Sequence, residues 1–286
     1  KTFLTVCECM NFTRAAQVLN LTQPAVSQHI RYLEEQYDTP LFIREKKKLY
    51  LTDAGQILKD SLETLQSDDH RMKIRMQQSM AGKKGLTFGV TMTIGEYAVI
   101  PSLARFLKAH PQWEIHICYG NTQTLLSRLR EGTLDFAIVE GYFREDLYTT
   151  RILQKEPFIG VASSKHIFQK PVSCLRDLTG ERLLLREHGS GTRAILTKIL
   201  ALNNLSAEDF SHIIEIENIH AIVSLLREDC GISFLYQSAV QKELEDKTLI
   251  EIPLSDFKIA HDFSFIWNKD SIFSAQYEAI FQELQK

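Results

Sequence analysis

At 286 residues, with 44% hydrophobic side chains, the chain is long enough to bury two or more cores. No apolar run approaches the roughly 18 to 20 residues of a membrane span, and the opening "KTFLTVCECMNF" lacks the charged, apolar, small-residue order of a secretory signal, so a cytoplasmic protein with no membrane partner is expected. The net charge of −3 conceals an asymmetry: residues 1–84 carry thirteen Lys and Arg against ten Asp and Glu, the remainder twenty against twenty-six, which points to a polyanionic partner at the N-terminal end only.

Five cysteines, odd in number and scattered, argue against a disulfide framework and suit a reducing compartment. Cys7 and Cys9 form a C-x-C, but no second Cys/His pair stands at ligand spacing nearby, so packing and no metal is the reading adopted. The chain opens on Lys1 rather than Met, and the first helix, carrying Phe3, Leu4, Val6 and Cys7, is expected to be incomplete. A second helix is predicted from Thr13 as N-cap, with Ala16, Val18 and Leu19 inward. Thr22 caps a third, with Pro24 in its first turn, where a missing N–H costs nothing.

At about 100° per residue, Val26, Ile30 and Leu33 of this third helix share one stripe, while Pro24, Ser27, Gln28 and Arg31 gather opposite. Solvated helix faces are usually filled with Glu and Lys. A short polar face that donates and accepts suits base edges: Gln bridges adenine, Ser gives or takes one bond, Arg reaches guanine or phosphate. The DNA-contacting set is thus Thr22, Gln23, Pro24, Ser27, Gln28 and Arg31. Two helices joined by about three residues make a helix-turn-helix. "TPLFIREKKKLYLT" then reads as a hairpin, or wing, whose Arg44, Lys46, Lys47 and Lys48 would meet phosphates. An ordinary amphipathic helix followed by a solvated charge run is the plainer alternative.

Thr52 caps a helix free of Gly and Pro from Gln56 to Ala81, with a stripe of Leu58, Leu62, Leu65, Met72, Met76 and Met80 that gives one slot to Asp69. So long a helix with so narrow a stripe calls for a partner helix. "GKKG" at 82–85 ends it as a linker. From Leu86 the pattern alternates: "LTFGV", "EIHICY", "LDFAIVE", "FIGVAS", "RLLLR", "HIIEIE" and "GISFLY" read as strands, with helices over Tyr97–His110, Thr122–Glu131, Thr192–Leu202 and Ile219–Glu228. This is α/β with mostly parallel sheets.

A second candidate site is "REHGSGTRAIL", where a strand runs through Gly-Ser-Gly into a helix, so that backbone N–H groups and the hydroxyls of Ser190 and Thr192 point at whatever sits there. Neither G-x-S-x-G nor a P-loop lysine is present, and a plain Gly-rich turn is the alternative. Thr91 and Thr93 follow the first strand, and Asn121 and Thr122 begin a helix. In open α/β sheets such strand ends line the ligand crevice. The candidate ligand-binding set is Thr91, Thr93, Asn121, Thr122, Ser190, Gly191 and Thr192. Glu140, ending "LDFAIVE", would put a negative charge at the crevice mouth, there to repel an anion, bind a cation or face solvent.

"NFTRAAQVLNLTQPAVSQHIRYLEEQYDTPLFIREKKKLYLTDAG" carries Ala15 and Ala16, "LTQPAVSQHI", "LE", "PLF.R" and "LT.AG", and residues 1–60 resemble the DNA-binding domain of LysR-type transcriptional regulators. The resemblance extends over nearly the whole chain. It implies a bacterial-type regulator that is no enzyme and holds no cofactor. Its N-terminal all-α winged helix-turn-helix domain would span 1–51, a dimerising linker helix and hinge 52–85, and a two-lobed α/β effector domain of periplasmic-binding-protein type 86–286. It further implies a homodimer pairing into a homotetramer on interrupted palindromic double-stranded DNA, and an effector pocket at the loops above, with "GSGTR" similar to forms that sense small anions or carboxylates. Gln237 departs from the pattern, standing where proline is common. The lobes are expected at 86–158 with 266–286, and at 159–265, joined through "FIGVAS" and "DFSFIW". The rival is a solute-binding or hydrolytic α/β protein with an incidental basic N-terminus, but no nucleophile–His–acid motif supports it.

Overall fold

A computed structural model describes residues 1–46, 48–82 and 84–285; the phosphate contact expected of Lys47 lies outside them. The chain divides into two compact units, Lys1–Asp69 and His70–Lys286.

The first unit holds α1 (Thr2–Cys9), α2 (Phe12–Leu19), α3 (Gln23–Gln36), β1 (Phe42–Glu45), β2 (Lys48–Leu51) and the start of α4 (Asp53–Met80). Its core is Phe3, Val6, Ala15, Ala16, Val26, Ile30 and Leu41, with Leu33, Leu58 and Leu62 packed on it. The cap of α2 differs from the sequence reading. Asn11, not Thr13, accepts from the Arg14 N–H at 3.0 Å, so the inward arc is Phe12, Ala15, Ala16 and Leu19, a run of i, i+3, i+4, i+7. Val18 is thereby turned outward, 61% exposed. Thr52 caps α4 as expected: its Oγ1 accepts from the Gly55 N–H at 2.9 Å and donates to the Pro40 carbonyl at 2.7 Å. Gly55 is required there, because a Cβ would lie 2.1 Å from the Leu41 carbonyl oxygen.

In the second unit follow β3 (Lys84–Val90), α5 (Ile100–Ala109), β4 (Trp113–Tyr119), α6 (Thr122–Arg130), β5 (Phe136–Val139), β6 (Tyr148–Ser163), β7 (Arg182–Leu185), α7 (Gly191–Leu202), β8 (His212–Glu215), α8 (Ile219–Arg227), β9 (Ser233–Tyr236), α9 (Gln241–Glu245), β10 (Leu249–Glu251), β11 (Ile259–Asn268) and α10 (Ser274–Gln285). Seven strands form one sheet in the order β10-β6-β11-β5-β3-β4, with β9 also on β6, and β7 and β8 pair separately. The expectation of mostly parallel sheets is corrected: in the large sheet only β3 with β4 and β3 with β5 run parallel. The reason is the length of β6, sixteen residues against the six of "FIGVAS". It runs antiparallel beside β11 from Tyr148 opposite Asn268 to Phe158 opposite Ile259. Its first half thus lies beside the part of β11 that pairs β5, and its second half takes β9 and β10. The helix read from Tyr97 begins at Ile100, after a π-turn at Ile94–Ala98.

The end of α4 is fixed to this second unit. Arg71 and Asp135, both buried, form an ion pair, and Arg75 reaches the same carboxylate at 2.8 Å. The Thr87 N–H and the Tyr277 hydroxyl also donate to Asp135, at 2.8 and 3.3 Å, and the Arg75 guanidinium lies 3.8 Å over the Phe273 ring. So many donors on one carboxylate are what a buried ion pair needs if it is not to cost more than it returns.

Candidate DNA-binding face and sensing crevice

In the first unit the outer side of α3 is polar and open. Thr22 caps it, accepting from the Ala25 N–H at 3.4 Å. Gln23, Pro24, Gln28 and Arg31 are exposed and Ser27 half-buried, and Gln23 Nε2 donates to Ser27 Oγ at 2.7 Å. The hairpin sets Arg44 opposite Leu49 and Glu45 opposite Lys48, leaving Arg44, Lys46 and Lys48 in solvent. Between hairpin and helices lies a cavity of about 540 Å³ whose lining includes Asn11, Thr13, Gln23, Arg44, Lys48 and Tyr50. The N-terminus of α2 therefore faces the same groove as Gln23 and the wing, an added anion-favouring element. Asn11 and Thr13 are absent from the sequence-derived set; their signal is the helix start itself. Cys7 lies in the core, and burial pushes its thiol pKa up to about 11.

In the second unit the strand ends converge as expected, but on a different centre. Thr91 follows β3, Glu140 follows β5 and Thr192 opens α7. The Thr91 hydroxyl donates to the Glu140 carboxyl, Thr192 Oγ1 donates to Glu140 Oε1 at 3.4 Å, and Thr122 Oγ1 to the Glu140 carbonyl at 2.8 Å. Glu140 is not at a crevice mouth and does not face solvent; it is 2% exposed. Burial drives its carboxyl pKa up, opposed by the Thr91 bond and by the charge of Arg186. Arg186 is itself committed to Glu187, at 2.8 Å. Glycine permits this closeness. A Cβ on Gly191 would lie 2.2 Å from the Glu140 carbonyl oxygen, and one on Gly141, at φ +94°, 2.5 Å from the Gly191 Cα.

The other expected effector residues divide. Asn121 caps α6, accepting from the Thr124 N–H at 3.0 Å, and donates to the His188 carbonyl at 3.4 Å. Thr122, Ser190 and Gly191 line a cavity of about 720 Å³ with Tyr142, Arg193 and Lys198. Asn121 lines a second, of about 580 Å³, with Met92, Tyr119 and Arg186. Thr91, Thr93 and Thr192 line neither, being buried. Among the described residues five buried hydroxyls have no hydrogen-bond partner, and three of them, Thr93 Oγ1, Ser190 Oγ and Tyr236 Oη, lie at or just past the ends of β3, β7 and β9. Tyr236 closes β9 and is missing from the sequence-derived set; its phenol pKa is raised by burial first and by Glu140 second. Ser190 makes no side-chain cap bond to α7, which leaves the first N–H groups of that helix without one.

Residues 1–56 match the family described as "Bacterial regulatory helix-turn-helix protein, lysR family", and residues 82–286 the "LysR substrate binding domain". The HTH-type transcriptional regulator CysL of Bacillus subtilis is 29% identical over 93% of this chain and 89% of its own. The HTH-type transcriptional activator CmpR of Synechocystis is 30% identical over 93% of this chain and 87% of its own. Among solved structures, a mutant of Corynebacterium glutamicum OxyR superposes with a TM-score of 0.60 at 24% identity, covering 99% of this chain and 88% of that one. The Synechocystis CcmR regulatory domain in complex with 2-PG gives 0.63 at 19%, covering 71% and 96%. At these identities the structural likenesses speak to fold alone.

Proposed function

The chain belongs to the LysR family of transcriptional regulators, and we propose that it reads an interrupted palindromic operator and changes its grip on that DNA when a small anionic or carboxylate effector enters the crevice of its second unit. Bases are read by Gln28 and Arg31, with Thr22, Gln23, Pro24 and Ser27 placing the helix. Arg44, Lys46, Lys47 and Lys48 hold phosphates. The exposed stripe of α4 supports a homodimer, and two dimers a tetramer. The chain acts in the cytoplasm and catalyses nothing.

The effector reading rests above all on Ser190: a buried hydroxyl without a partner, at the uncapped start of a twelve-residue helix, on the wall of a cavity. An anion there meets helix N–H groups and a hydroxyl donor together. That a CcmR regulatory domain was solved with 2-PG supports a small molecule as occupant. Thr122 and Gly191 complete the wall, Thr91, Thr192 and Asn121 shape it through Glu140 and His188, and Thr93 adds a buried hydroxyl without a partner. The test is calorimetry of the full chain with acetate and with inorganic phosphate, beside Ser190→Ala. Binding weakened at least tenfold by the change is expected; binding of both anions that ignores it places the pocket elsewhere.

A further inference from the structure

The hydroxyls best placed to hold an anion are partly spoken for. Thr91, just past β3, and Thr192, at the start of α7, both donate to Glu140. Among the described residues no Lys, Arg or His is bonded or ion-paired to that carboxyl, and the one cation that influences it, Arg186, is already matched by Glu187. A buried carboxylate bonded by two threonine hydroxyls and paired with no cation of its own lacks the compensation buried charges require. Of the buried hydroxyls without a partner, Thr93 Oγ1, Ser190 Oγ and Tyr236 Oη stand, like Glu140, at or just past the carboxyl ends of β3, β7, β9 and β5. The cavity wall at Ser190 thus offers helix N–H groups and a hydroxyl, and an acid lies directly behind it, against Gly191.

From this juxtaposition we propose that Glu140 is an effector-contacting residue, and that the effector is a zwitterion of amino-acid type whose protonated amine pairs with Glu140 while its carboxylate takes Ser190 and the start of α7. The proposal rests on the crevice reading above and deepens it. Burial favours the protonated form of Glu140. The arriving ammonium keeps its three N–H bonds, Glu140 loses its proton to solvent, and a carboxylate–ammonium pair replaces the bonds from Thr91 and Thr192. Proton release therefore accompanies binding. The charged and titratable groups facing Glu140 are Arg186 and Tyr236; the first is paired with Glu187 and the second is held neutral by burial, so Glu140 is the group that titrates. Releasing Thr91 and Thr192 frees the contact that Glu140 makes between the end of β3 and the start of α7, which gives the ligand a means of favouring one arrangement over another.

A panel of L-amino acids, each matched with the 2-hydroxy acid of the same side chain, tests this by calorimetry on the full chain and on Glu140→Gln and Ser190→Ala. Amino acids are expected to bind at least ten times more tightly than their partners, with proton release seen as a dependence of the heat on the buffer's ionisation enthalpy. Glu140→Gln is expected to abolish both preference and release, and Ser190→Ala to weaken both members of a pair. Should Glu140→Gln not fold, Glu140→Asp is expected to keep the preference. Hydroxy acids binding as tightly as amino acids and still weakened by Ser190→Ala would overturn the amine and leave the anion site standing. Binding indifferent to Ser190→Ala would overturn the site as well, and absence of binding by every amino acid at millimolar concentration would overturn the amine.

Discussion

Asp135 and Glu140 stand at the two ends of β5, with only the buried residues Phe136–Val139 between them. Asp135 holds Arg71 and Arg75 of α4; Glu140 holds Thr91 and Thr192. The strand is hydrogen-bonded on both sides, to β3 and to β11. The anchor of the linker helix and the centre of the crevice are therefore joined by one short, fully paired element. Proximity alone is no signal: a ligand moves α4 only if it binds two arrangements of this strand with different affinity.

The anchor makes the first prediction. Asp135→Asn keeps the shape and removes the charge, leaving Arg71 buried opposite a neutral group. Loss of one partner of a buried pair costs about 3–5 kcal/mol, so the thermal transition of the second unit should fall markedly. Arg75 is partly exposed, and Arg75→Gln should lower it less. Equal, small shifts for both changes would mean that the buried pair contributes nothing.

Glu140 makes the second. Its pKa in the folded chain is raised above the ordinary 4.5 by burial, so over the interval above 4.5 the folded state binds more protons than the unfolded one. Stability from this group is complete below about pH 4.5 and is lost as pH rises through the folded-state value. Glu140→Gln removes that loss. Melting temperatures of the two proteins should match most closely in acid and separate as pH rises to neutrality, with the variant higher; parallel curves would contradict the burial of an acid there.

The local features of both units were legible in the sequence, because each is written within a few residues. The stripe of Val26 and Ile30 on α3, the Thr22 and Thr52 caps, the hairpin around Lys46 and the Gly-Ser-Gly turn before α7 follow from periodicity and capping chemistry. The first half of β6, "YTTRILQKE", is too polar to read as a strand; it is one because β11 pairs along it. Asn11 and Thr13 both qualify as helix caps, and the choice between them is made by packing on Phe12 and Ala15. Arg71 and Asp135 are 64 residues apart, and no local pattern says that an arginine on a long polar helix is buried. The burial of Glu140 is equally non-local, since it depends on Gly141 meeting Gly191.

The DNA face makes the third prediction. Gln28 is exposed and, among the described residues, bonded to no other side chain, whereas Gln23 is tied to Ser27. Gln28→Ala should cost about 1–3 kcal/mol at one half-site position and relax preference there. Arg44→Ala should weaken binding to every duplex and flatten its salt dependence. Equal losses on specific and random DNA for both changes would show that α3 does not read bases.

The helix α4 makes the last, and the structure alters which residues test it. As first read, one stripe from Leu58 to Met80 meets a partner helix. Leu58 and Leu62 instead pack on the core of their own unit, so an acid at Leu62 would unfold that unit and say nothing about assembly. The residues left in solvent are Leu65 at 60%, Met72 at 42%, Met76 at 61% and Met80 at 89% exposed. Large apolar side chains repeated along one helix and left in water mark an interface, and their spacing of seven, four and four keeps them near one line. Leu65→Asp with Met76→Asp should place two charges on that line without touching either core. Sedimentation should then show monomers whose melting matches that of the parent's separated subunits, and protection of a two-half-site operator should be lost while a single half-site is still bound weakly. An oligomer unchanged by the double substitution would assign assembly to another surface and leave the exposed stripe of α4 as a solvated face.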